Sequence, residues 1–137
     1  MKKCVAAWLS IFVVWCILDF IGHGLILSSL YAALPGVWRP QAEIKIGFVY
    51  AGVALTSAMF VAIYYLQVKT RGLISGLLYG LLFGIGTGAS IACGGYAVHP
   101  IQIQLALGWY IITLVECSIG GVIVGTVLNE PPARKDK

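Results

Sequence analysis

The chain alternates long apolar stretches with short polar breaks. Four stretches stand out, at about 4–34, 46–67, 73–98 and 103–128. Each reaches the roughly 20 residues that a helix needs to cross the hydrocarbon core of a bilayer. All five prolines (Pro35, Pro40, Pro100, Pro131 and Pro132) fall between or after these stretches. Proline lacks the backbone donor and clashes with the preceding turn, so its placement marks helix ends. The pattern predicts an all-α fold, an integral membrane four-helix bundle forming a single transmembrane domain over 1–137, with a cytoplasmic tail at 129–137. Prolines confined to the breaks also argue against the interrupted helices of many secondary transporters.

Composition agrees. The 137 residues are 60% hydrophobic and 10% charged, with a mean hydropathy of +0.94. A soluble domain carries roughly 25% charged residues, and four spans leave no room for one. The Met1-Lys2-Lys3 start before an apolar run imitates a signal peptide. That reading is rejected, because the run is too long and contains Asp19 and His23.

Orientation follows from lysine and arginine. Lys2, Lys3, Lys69, Arg71, Arg134, Lys135 and Lys137 share one side of a four-span topology; only Arg39 and Lys45 fall on the other. The positive-inside rule places both termini in the cytoplasm of a bacterial inner membrane, as a multi-pass protein among membrane lipids. The net charge of +4 is thus a topology signal. No basic stripe exists for nucleic acid. Trp8 and Tyr64-Tyr65 near the inner interface, with Trp38 and Tyr50 near the outer one, read as aromatic belts.

The third stretch carries Gly72, Gly76, Gly80, Gly84 and Gly88 at a spacing of four, and the fourth carries Cys117, Gly121 and Gly125. Small residues let helix backbones approach closely in lipid. The row predicts close packing, either within the chain or across a homo-oligomer.

Two acids lie within the spans, Asp19 in the first and Glu116 in the fourth, with no lysine or arginine beside them. An ionisable group at this depth costs several kcal/mol unless compensated, which makes it a candidate functional residue. With a rise of about 1.5 Å per residue, the two carboxyls fall within roughly 5 Å of the same depth. Cys16, Asp19 and His23 share one helix face; Thr113, Glu116 and Gly120 form a similar stripe on the fourth span. Facing each other, the stripes would join Asp19, His23, Glu116 and Thr113. Such a cluster either fixes packing through hydrogen bonds or binds a proton or small cation. A metal needs three or four ligands; no spacing motif here demands one, and metal binding stays open.

Cys4, Cys16, Cys93 and Cys117 form no C-x-x-C pair, and no catalytic triad or phosphate loop is present. No catalytic residue and no cofactor is indicated. The first outer loop holds Trp38, Arg39 and Glu43. Trp38 and Arg39 read as an interfacial anchor, with Arg39 facing Glu43 or a lipid phosphate; the alternative is a lid over the polar cluster.

The stretch Asp19-Phe20-Ile21-Gly22-His23-Gly24, with Ser29-Leu30-Tyr31 and Trp38-Arg39-Pro40-Gln41-Ala42-Glu43, resembles small bacterial four-helix inner-membrane proteins of no established function. The resemblance implies fold and location and carries no activity. Small multidrug-resistance transporters are similar only in size, span number and a first-span acid; the seven-to-two charge bias departs from their weak bias. Membrane-bound glutathione-utilising enzymes share the size but need basic residues that these spans lack. The expectation is a proton- or small-cation-binding protein, with transport as one use of the site. The alternative is a structural or accessory subunit packing through the third-span glycine row. An enzyme ranks below both.

Overall fold

The structure is a computed structural model that describes residues 1–129. Most of the expected tail, including Arg134, Lys135 and Lys137, lies outside the described residues. Helix α1 (Lys2–Asp19) runs without interruption into a π-helical segment (Phe20–Ile26). A short helix α2 (Ser28–Ala32) and a 3-10 turn (Gln41–Glu43) precede α3 (Ile46–Gln67), α4 (Leu73–Val98) and α5 (Ile103–Val127). The protein is all-helical over the described residues. Four segments are long and apolar enough to span a membrane: Lys2–Ile26, Ile46–Gln67, Leu73–Val98 and Ile103–Val127.

The first apolar stretch is not one helix to residue 34. Its winding widens at Phe20, and Leu27 N–H bonds to Gly22 O at 2.9 Å, five residues back. Leu27 then leaves helical geometry at φ −91°, ψ 1°, and α2 starts afresh. The apolar run from 28 to 34 belongs to a cap over one end of the bundle. Leu27, Ile101, Leu105 and Ala106 form its buried centre, with Leu30, Tyr31, Trp38 and Trp109 against it.

Helices α4 and α5 form the tightest pair. A Cβ at Gly80 would collide with the Cys117 carbonyl oxygen, and one at Gly76 with that of Gly121. At Gly84 it would lie 2.9 Å from Cys117 Cβ, and at Gly88 3.2 Å from the Tyr110 ring. Gly121 and Gly125 meet Gly76 and Gly72 in return. The glycine row therefore faces α5 of the same chain and is buried by it. A homo-oligomer has no access to that row.

Helix α1 packs on α3 and α5 through Ala7, Ile11 and Trp15, which meet Phe60, Val61 and Tyr64 of α3 and Val124 of α5. Trp8 Nε1 donates to Ala54 O at 3.0 Å. Tyr64 is fully buried, within 3.2 Å of Gly72 O, so it belongs to the core and not to a lipid-facing belt. Tyr65 stays outside, beneath the Arg71 guanidinium at 4.5 Å.

Helix α3 meets α4 mainly through aromatic side chains. Phe60 stacks on Tyr79 (4.6 Å between centroids) and Phe83 (5.1 Å), and Tyr79 Oη donates to Phe60 O at 2.8 Å. These contacts all lie in the C-terminal half of α3. Its first turns, residues 46–52, are exposed throughout, and no atom approaches a Cβ built at Gly47 or Gly52. The two helices thus diverge from Phe60 toward the cap and leave a cleft between them.

Candidate functional site

At the head of this cleft lies a cavity of about 660 Å³ between the α1–α5 core and the cap. Asp19 and His23 reach it from the first membrane-spanning segment, and Thr113, Glu116 and Cys117 from α5. Thr56 of α3 and Thr87 and Ser90 of α4 supply further hydroxyls; Trp15, Phe83 and Trp109 supply apolar walls. All four residues expected to cluster, Asp19, His23, Thr113 and Glu116, therefore line one cavity. Cys16 does not line it. Gly120 lies against the indole of Trp15, where a Cβ would sit 3.2 Å from the ring.

Local winding places the acid and the imidazole. Asp19 ends α1, and His23 follows within the π-helical turn; His23 Nε2 lies 3.7 Å from Asp19 Oδ1. π-helical turns inside helices recur at functional sites. Gly22 lets this turn approach α5, since a Cβ there would meet Ile112 Cδ1 at 2.6 Å. On the facing helix, Trp15 Nε1 donates to the Glu116 backbone carbonyl at 2.7 Å. That bond sets the depth of α1 against α5, and the Glu116 carboxyl adjoins that of Asp19. Glu116 is 9% exposed, and its Oε1 has no hydrogen-bond partner.

The other side of His23 is held by Tyr31 and Trp109, neither of which stood out as a site residue in the sequence. Trp109 Nε1 lies 2.6 Å from Tyr31 Oη, and Tyr31 Oη lies 2.7 Å from His23 Nδ1. An indole N–H can only donate, so Tyr31 accepts from Trp109, which leaves its own hydrogen free to turn to His23 Nδ1. With that bond made, a neutral imidazole carries its hydrogen on Nε2, facing Asp19; this tautomer is an assignment from the network. The result is a hydrogen-bonded relay from Trp109 through Tyr31 to His23, whose Nε2 stops 3.7 Å short of Asp19 Oδ1. One signal in the sequence pointed to these residues: Tyr and Trp in an apolar span have polar tips that need partners. Their partners, 78 positions apart in the case of Trp109 and Tyr31, could not be read from spacing.

Trp38 folds inward over this relay. Its ring lies 5.2 Å from Tyr31 and 6.1 Å from Trp109, with His99 at 6.4 Å. Trp38 thus packs on Tyr31 and Trp109, and it does not itself line the cavity. Arg39 and Glu43 are exposed, and no ion pair joins them among the described residues.

No group of three or more metal-ligating side chains stands close enough to hold an ion among the described residues. All four cysteines are free. What the arrangement offers chemically is two adjoining carboxyls with hydroxyls around them, no basic side chain in the lining, and one oriented imidazole. No protein-family model, curated protein or solved structure matches the chain.

Proposed function

We propose that this is a multi-pass inner-membrane protein, with both termini cytoplasmic, that binds a proton or small cation at Asp19, Glu116 and His23. The observation that carries this reading is the pairing of half-buried Asp19 with buried Glu116 in a cavity that no lysine or arginine lines, with Glu116 Oε1 buried and unpartnered. Two carboxylates in a low-dielectric site repel strongly, so the pair holds a shared proton or a cation between its members. His23 hands protons to and from Asp19, and Tyr31 and Trp109 keep its ring in register. A passage for ions through the bundle would be one use of such a site. The basic-residue bias and the resemblance to small inner-membrane four-helix proteins support the location.

Docking to a partner subunit through the α4 glycine row is disfavoured, because α5 already covers that row.

Infrared titration of the carboxyl C=O band tests the proposal in wild type, Asp19→Asn and Glu116→Gln. The expected result is a protonated-acid band in wild type that changes with pH or with added sodium and is altered in each variant. A band indifferent to both would leave the cluster a packing device. Two ionised carboxylates without a bound cation would also overturn the site.

A further inference from the structure

The cavity is far larger than a proton or a bare metal ion requires. At about 660 Å³ it lies within the roughly 300–1,000 Å³ range of organic-ligand pockets, whereas a water occupies about 30 Å³. Its walls are mainly apolar and aromatic, with Trp15, Phe83 and Trp109 around the acid pair. We propose that it takes a lipophilic organic monocation, with an ammonium head against Asp19 and Glu116 and an apolar body among Trp15, Phe83 and Trp109, entering from the bilayer between α3 and α4.

This inference rests on reading the acid pair as a cation site, and it names the class of cation. The sign of the charge follows from the lining: two acids, with no lysine or arginine to offset them, favour a cation over an anion. Glu116 is nine-tenths buried yet lines the cavity, and with Asp19 its carboxyl accepts what an ammonium donates. Aromatic faces add cation–π attraction, stronger where water is excluded. The route follows from packing. Residues 46–52 of α3 are uncovered, and Gly52 lines the cavity with open space beside its Cα. A molecule crossing that mouth passes between two membrane-spanning helices, so it must dissolve in the bilayer.

The test uses the full chain in nanodiscs of zwitterionic lipid, with empty nanodiscs subtracted. The probe is dansylcadaverine, an ammonium on an alkyl arm whose fluorescence rises on desolvation. Its N-acetylated form keeps the fluorophore and loses the charge. The proposal expects saturable one-to-one binding, weakened about tenfold or more by N-acetylation, by Asp19→Asn and by Glu116→Gln, as the loss of a charge-assisted hydrogen bond implies. Gly52→Leu has room for its side chain, so it should fold, narrow the mouth and weaken binding even if the acid variants fail to fold.

Equal binding of the acetylated probe, or undiminished binding to Gly52→Leu, overturns the inference. No saturable binding, alongside a carboxyl infrared band that still responds to pH or sodium, discards the organic cation and leaves the acid-pair reading standing. Silence in both measurements removes both.

Discussion

The indole N–H of Trp15 donates to the backbone carbonyl of Glu116 across 2.7 Å. One bond therefore joins α1 to α5 at the residue whose side chain enters the cavity. Trp15 also stacks edge-on against Phe60 of α3 at 5.4 Å, so three helices meet at this ring. Register between α1 and α5 decides whether the two carboxyls adjoin, and this bond sets the register.

Trp15→Phe keeps an aromatic ring and removes the donor. Interhelical hydrogen bonds in membranes contribute about 0.6 kcal/mol on average and rarely more than about 1.7. The loss of bond and ring volume together should cost about 1–2 kcal/mol, read as earlier unfolding in a detergent denaturation series. The cavity acids should also respond. A carboxyl infrared band identical to wild type would show that Trp15 does not set their approach.

Tyr31→Phe cuts the relay at its centre. Trp109 Nε1 loses its acceptor and His23 Nδ1 its donor; both are half-buried, so the cost stays at or below the low end of the range of about 1–3 kcal/mol for a fully buried unpaired group. The more specific readout is the imidazole. Nitrogen NMR on labelled histidine should show His23 mainly as the Nε2–H tautomer in wild type and a mixture in Tyr31→Phe. An unchanged tautomer ratio in the variant would refute the relay.

Glycines on opposite faces of α4 should behave differently. Gly80→Leu drives a side chain into the Cys117 backbone, which cannot yield as a flexible side chain does. The expected cost is about 3 kcal/mol or more, since overpacking alone commonly costs 1–3. Gly86 has nothing within 4 Å of its Cβ position, so Gly86→Leu should be neutral or slightly stabilising. Thermal unfolding of the two purified variants checks this. Equal stability would contradict the close α4–α5 contact.

Topology is testable independently of any activity. A reporter fused after Lys137 should report cytoplasm, and one inserted near Gln41 should report periplasm, because basic residues concentrate on the side of Lys2, Lys3, Lys69 and Arg71. Reversed signals would invert the orientation of the cavity mouth and of the loop that carries Trp38.

Sequence alone determined that there are four spans and that Asp19 and Glu116 lie at similar depth. The physical reason is that lipid offers no hydrogen bonds to the backbone, so a long apolar stretch must become a helix, and a helix has a fixed rise per residue. Tertiary structure decided everything that depends on which face turns inward. Along α1, Ala7, Ile11 and Trp15 are buried at a spacing of four, while Val5, Leu9, Val13 and Ile17 are exposed at the same spacing. Both series are apolar because lipid and protein core accept the same side chains, so no polar face marks the outside. For that reason the pairing of Tyr31 with Trp109, the burial of the glycine row under α5 and the cleft between α3 and α4 were invisible in the sequence. The break at Leu27 was hidden too, since the residues on either side of it are apolar. It turns α2 back over the bundle and brings Tyr31 to His23.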